Sequence, residues 1–82
     1  MNQVFYVYIL NAINYPSKYY VGFTEDLHHR LSTHNSGSVP HTSKFVPWML
    51  ITSISFTDKE KALKFEKYLK SHSGRAFMSK HF

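Results

Sequence analysis

Two short runs rich in aromatic and β-branched residues, Val4-Phe5-Tyr6-Val7-Tyr8-Ile9-Leu10 and Lys18-Tyr19-Tyr20-Val21-Gly22-Phe23, flank a cluster of turn residues. No other feature restricts the fold of this chain as strongly. The first run contains neither Gly nor Pro and is too short for a typical helix, so it reads as a strand. Asn11, Asn14, Pro16 and Ser17 then supply turn chemistry, and the second run resumes the strand pattern; together they read as a hairpin. Side chains alternate along a strand, which puts Tyr6, Tyr8 and Leu10 on one face and Tyr20 and Gly22 on one face of the partner. Tyr8 and Tyr20 can therefore point the same way.

Downstream, the period changes. Thr24 reads as an N-cap with Glu25 and Asp26 in the first turn, where the helix dipole favours negative charge, and the helix should end near Ser36-Gly37. At about 100° per residue, Leu27, Leu31 and His34 form one stripe, with Arg30 on the same side and one turn from His34. Ser38 to Val46 is polar and reads as a loop, and Trp48 to Ile54 reads as a third, buried strand. Thr57-Asp58-Lys59-Glu60 has the form of a capping box, opening a helix that runs to about Ser71 and is stopped by Gly74. Its apolar stripe is Ala62, Phe65 and Leu69, flanked by Leu63, and Glu66 projects between them. The tail from Arg75 to Phe82 is expected to form one further helical turn or two.

Size and charge limit what such a chain can do. At 82 residues it should be one domain, 1–82, hiding only roughly 60% of the surface that the unfolded chain exposes. An apolar share of 43% with 17% aromatic residues still supports a packed core rather than a disordered tail. The absence of cysteine removes disulfides and thiolate metal sites and favours a reducing, cytoplasmic setting. No run approaches the roughly 18 apolar residues of a membrane span, and Met1-Asn2-Gln3 lacks the positive start of a leader, so no membrane role is expected. The net charge is +5, and seven of the ten Lys and Arg (Lys59, Lys61, Lys64, Lys67, Lys70, Arg75, Lys80) lie from residue 59 onward. A basic face of this kind attracts polyanions without reading sequence.

A carboxylate inside an apolar stripe needs a partner, so Glu66 marks either an ion pair, with Arg30 as one candidate, or a metal ligand at the edge of a cleft. Arg30 lying across apolar surface to reach water is the structural alternative for that residue. What favours function is a set of one Arg, one His, one Glu and two Tyr in positions able to converge at one end of a small sheet. Phosphodiester hydrolysis needs a divalent cation, a base for the attacking water and a fixed cation for the developing charge. Glu66 can hold Mg²⁺ or Mn²⁺ with several waters, and Arg30 can be the fixed cation. The histidines suggest zinc less well, because adjacent His28 and His29 project about 100° apart on a helix.

At these residues the chain resembles the GIY-YIG nucleases. Tyr6-Val7-Tyr8 stands at the first motif and Tyr20-Val21-Gly22 at the second, with eleven residues between Tyr8 and Tyr20. Thr24, Asp26, Leu27, Arg30, Leu31, His34, Asn35 and Gly37 continue the pattern, and Pro47-Trp48, Ala62, Glu66, Leu69, Lys70 and Gly74-Arg75-Ala76-Phe77 resemble small stand-alone bacterial members. The resemblance implies an α/β (α+β) fold, a three-stranded antiparallel sheet flanked by helices, and one divalent metal held by Glu66. It also implies cutting by water attack that leaves 5′-phosphate and 3′-hydroxyl ends. On this reading Tyr8 is the general base, Tyr20 supports the water or the phosphate, Arg30 clamps the phosphate, and His34 orients the tyrosine or shuttles a proton. The chain departs from the family at three points. Tyr6 replaces the usual Gly, Met78 stands where many larger members have Asn, and His29 is all that is offered where some have a catalytic Lys.

The expected function is metal-dependent hydrolysis of branched or damaged DNA in repair, recombination or turnover; the alternative is a catalytically silent nucleic-acid-binding module. Lys44, Lys67, Lys70 and Arg75 are the candidate phosphate contacts. DNA, or RNA, is the expected partner, and the chain is expected to be a monomer or weak homodimer.

Overall fold

The computed structural model describes residues 3–82. The elements are β1 (Phe5–Ala12), β2 (Tyr15–Thr24), α1 (Leu27–Asn35), a 3₁₀ turn (Ser43–Phe45), β3 (Trp48–Phe56), α2 (Lys59–Leu69) and α3 (His72–His81). The strands form one antiparallel sheet in the order β2-β1-β3. This is the fold expected from the resemblance.

The central place of β1 explains its composition. A strand covered on both faces needs a nearly continuous apolar run, whereas a half-exposed strand alternates. Phe5, Val7 and Ile9 enter one core with Val21, Ala62 and Leu69, against which Phe65, Phe77 and Met78 pack, so α2 and α3 cover that face. Tyr8, Leu10 and Ala12 enter a second core with Trp48, joined by Leu27 and Leu31 of α1. The stripes expected on both helices are the stripes that pack. Leu69 is completely buried, and hiding a leucine side chain of this kind is worth roughly 1.5–3 kcal/mol.

Boundaries differ from the expectation in physically instructive ways. The hairpin turn is tighter than Asn11 to Ser17, because β1 runs on to Ala12 and β2 begins at Tyr15. Pro16 is tolerated there because β2 is an edge strand, where a missing N–H need not break a ladder. The Asn11 amide donates to the carbonyls of Pro16 and Lys18, both at 3.0 Å, across the place where the β1–β2 register shifts. Thr24 is not the cap of α1. It is the last residue of β2, and Asp26 caps the helix by accepting from the His29 N–H at 3.1 Å. Likewise Asp58, not Thr57, caps α2 by accepting from the Lys61 N–H at 3.2 Å.

The largest correction concerns the end of the chain. α2 stops at Leu69, and Ser71 caps a separate ten-residue helix by accepting from the Gly74 N–H at 3.1 Å. Gly74 therefore lies inside the first turn of α3 and does not stop α2. Its backbone presses on α2 so closely that a Cβ would collide with the Tyr68 carbonyl and the Leu69 backbone. The glycine is there for close approach of two helices, which a pattern read along one helix does not show.

Candidate active site

The site begins with a contact inside the sheet. Tyr8 sits directly opposite Gly22 in the β1–β2 register, and its ring lies across the space a side chain at position 22 would occupy. A glycine at this point lets the phenol lie flat over β2. Tyr8 is 1% exposed, so its hydroxyl needs a partner within the protein.

That partner is His34. The Tyr8 hydroxyl lies 2.8 Å from His34 Nε2, and His34 Nδ1 lies 2.8 Å from Thr42 Oγ1. Thr42 turns its own hydroxyl hydrogen toward the Val39 carbonyl, 3.4 Å away. Its oxygen is then free to accept Nδ1–H, which leaves Nε2 with a lone pair for the tyrosine O–H. His34 and Thr42 are both completely buried. Burial, reinforced by the nearby Arg30 cation, lowers the His34 pKa below its ordinary value and keeps the ring neutral. The Tyr8 pKa is pushed up to about 12, first by burial and then by Tyr20, with a smaller contribution from Glu66; Arg30 offsets part of the rise.

Sequence reasoning did not find Thr42. It lies in the stretch read as loop, where the Ser43–Phe45 turn forms and where the Trp48 indole N–H donates to the Thr42 carbonyl at 2.9 Å. Asn35 joins the same corner, accepting from the Trp48 N–H at 2.6 Å and donating to its carbonyl at 3.0 Å. A polar residue in a polar loop carries no signal until the loop folds over α1.

The other expected residues gather around this chain of hydrogen bonds. Tyr20 tilts against both partners, with ring centroids 6.2 Å from Tyr8 and 4.8 Å from His34. Arg30 is half-buried on the same side of α1. Glu66 comes from α2, and its charge is felt at Tyr8. Its carboxylate is paired with Lys70, not with Arg30, at 3.0 Å, and the two side chains are 20% and 52% exposed. The Arg30–Glu66 pairing considered for the sequence is therefore not the one formed.

One carboxylate at a rim, with water and phosphate oxygens to complete the shell, is an ordinary donor set for Mg²⁺. Glu66 fits that use, since its exposed lysine partner is free to swing away. Among the described residues, no three His, Asp or Glu side chains gather to form a protein-only metal cage.

The basic residues are less concentrated than the sequence suggested. Lys44 rides on the 3₁₀ turn next to Phe45, which packs on the Tyr8 side of the sheet. Lys67, Lys70 and Arg75 are exposed on the helices of the opposite side. Of the four, Lys70 approaches the tyrosine pair, its ammonium 6.0 Å from the centroid of the Tyr20 ring. Met78, where the resemblance led to an expectation of Asn in many larger members, packs against the core.

A three-stranded sheet with β1 at its centre, a buried tyrosine from β1 crossing a β2 glycine, and a carboxylate arriving from α2 together define an α+β domain of the GIY-YIG type. Residues 4–80 match the GIY-YIG catalytic domain, and the chain belongs to that family. Within it, the chain is similar to small bacterial proteins called UPF0213. It is 37% identical over 71 residues to the UPF0213 protein of Streptococcus pneumoniae serotype 4, covering 85% of this chain and 70% of that one. Against the Lacticaseibacillus paracasei UPF0213 protein it is 31% identical over 83 aligned positions, covering 96% and 91%. The solution NMR structure of a UPF0213 protein from Bacillus halodurans superposes with a TM-score of 0.57 at 29% identity, covering 94% of this chain and 83% of the other. No helix of the described residues is long and apolar enough to cross a membrane.

Proposed function

We propose that this protein is a metal-dependent endonuclease that hydrolyses phosphodiester bonds in branched or damaged DNA. The observation that carries this reading is the buried Tyr8–His34–Thr42 chain, with Tyr20, Arg30 and Glu66 on the Tyr8 side of it. A structural tyrosine needs one partner; it does not need a neutral imidazole whose tautomer is fixed from behind.

The 2.8 Å contact of the Tyr8 hydroxyl with His34 Nε2, together with the raised Tyr8 pKa, favours a relay over a free phenolate. With a pKa of about 12, a free phenolate would be present at only about one part in 10⁵ at pH 7. Tyr8 therefore acts as a relay, taking a proton from the attacking water as its own hydroxyl proton passes to His34 Nε2. Thr42 keeps Nδ1–H engaged while the ring becomes cationic. The water oxygen bonds to phosphorus, the P–O3′ bond breaks, and the departing oxygen takes a proton from solvent to become a 3′-hydroxyl, leaving a 5′-phosphate. Arg30 holds the phosphate and meets its growing negative charge, and Tyr20 positions the water or a phosphate oxygen. A divalent cation bound through Glu66 supplies charge neutralisation at the phosphate. Lys44, Lys67, Lys70 and Arg75 add contacts to the DNA backbone, which position it without reading sequence.

A silent binding module is the second reading, favoured by the Lys70–Glu66 pair and by Met78 packed against the core. The test is to incubate the protein with Mg²⁺ or Mn²⁺ and end-labelled single-stranded, duplex, flap and four-way-junction DNA, beside Glu66→Gln. Metal-dependent cutting that falls at least about a hundredfold in the variant, with binding retained, is the expected result. Intact DNA with binding retained would transfer the assignment to the module. Unfolding of Glu66→Gln would make the carboxylate structural and remove it from both accounts.

A further inference from the structure

Beside the tyrosine site lies a groove of about 710 Å³ between β2 and the α2–α3 corner. We propose that it seats an unpaired base beside the reactive phosphate, so that the substrate is DNA with a single-stranded segment adjoining the cut. The proposal rests on the nuclease reading for where the reactive phosphate lies; the groove and the chemistry of its ligand stand on separate observations.

The first is the chemistry of the lining. Partly exposed Ile51 and Met78, with Phe82, give it an apolar floor, Tyr19 forms part of the wall, and Lys70 and Arg75 lie along it. No Asp or Glu lines it among the described residues. An apolar floor has no use for the phosphates that a duplex presents outward, whereas the face of an unstacked base fits it, with cations placed for the flanking phosphates. The second is Tyr19, which leaves 55% of its surface exposed in a protein that buries most of β1 completely. An exposed aromatic ring beside cations is the usual platform for a splayed base.

Continuity with the site is the third. Tyr20 lines this groove and also tilts against Tyr8 and His34, and Lys70 lines it while pairing with Glu66. A strand whose phosphate lies at Arg30 and Glu66 therefore has an adjoining place for its next nucleotide. Capture of Lys70 by the phosphates of that strand would also free the Glu66 carboxylate.

The test measures binding apart from cutting. In EDTA, labelled blunt duplex and the same duplex with a short single-stranded overhang are titrated by fluorescence anisotropy against wild type, Tyr19→Ala and Tyr19→Trp. The overhang carries 2-aminopurine to report stacking. Wild type should bind the overhang DNA about tenfold more tightly than blunt DNA and quench the 2-aminopurine. Tyr19→Ala should lose that advantage with blunt-duplex affinity unchanged, and Tyr19→Trp should restore it. Thermal unfolding of each variant separates a lost ring from a lost fold. Equal affinity for the two DNAs in wild type, or an equal loss on both in Tyr19→Ala, would overturn the groove. Metal-dependent cutting without overhang preference would defeat the groove and leave the nuclease standing; overhang preference without any cutting would do the reverse.

Discussion

Burial keeps His34 neutral, and neutrality is the property the Tyr8 hydroxyl uses. The same burial gives the protein a pH signature at both ends of the scale. His34 has a lowered pKa, so just below the ordinary value of 6.5 the unfolded chain binds more protons than the folded one. Its contribution is present in full above about pH 6.5 and is lost as pH falls toward the folded pKa. Tyr8 behaves in the opposite sense. Its pKa is raised from 10.0 to about 12, so between those values the folded chain holds the extra proton and stability is lost as pH rises. A shift of that size corresponds to roughly 2–3 kcal/mol. Urea midpoints should therefore form a plateau from about pH 7 to 10 and decline on either side. Tyr8→Phe should flatten the alkaline limb, and an unchanged limb would show that other tyrosines cause it.

Two of the three helices begin at caps that lie one or two positions beyond those a one-dimensional pattern nominates. Thr24 and Thr57 have the chemistry of caps, but Asp26 and Asp58 follow closely, and the carboxylates take the role. At the α2–α3 corner the decisive residue is Gly74, whose missing side chain lets the first turn of α3 touch the last turn of α2. Gly74→Ala should not act as a helix-favouring change, despite the better helix propensity of alanine. The added Cβ meets backbone, which cannot rotate away, so the corner must open. Loss of about 1–3 kcal/mol is expected by chemical denaturation. A neutral or stabilising result would mean that α3 is free to move off α2. Because Lys70 and Arg75 flank this corner, the same change should also disturb the groove beside β2.

Across the whole molecule, the buried tyrosine–histidine pair and three of the four candidate backbone contacts lie on different sides of one thin sheet. The hydrogen-bonded Tyr8–His34–Thr42 chain lies on the α1 side, while Lys67, Lys70 and Arg75 belong to the opposite helices. A duplex touching all of them must wrap the β2 edge, where Tyr20 and Lys70 meet. If Arg30, Lys44, Lys67, Lys70 and Arg75 all reach phosphates, the affinity for duplex DNA should fall with salt at a log–log slope between about −4 and −5. Arg75→Ala should reduce that slope by about one. A slope near −1 would mean that the surface is not engaged as a unit.

How much of this was legible depends on the range of the forces involved. Alternation and turn residues identified the Tyr8 and Tyr20 strands, and helical period put Leu27, Leu31, Arg30 and His34 on one side of α1, because those patterns follow from backbone geometry alone. Motif spacing tied Tyr8, Tyr20, Arg30 and Glu66 into one family pattern. The sequence could not pair Glu66 with Lys70 in preference to Arg30, since both were near enough along or across the fold and only packing chose between them. Nor could it find Thr42 behind His34, or explain Gly22 and Gly74. Each of these depends on atoms far apart in the chain meeting within van der Waals or hydrogen-bond distance. The sequence alone determined which surfaces of each helix are apolar and which residues are candidates for chemistry; the tertiary structure decided which of those residues touch, because contact depends on the path of the intervening chain.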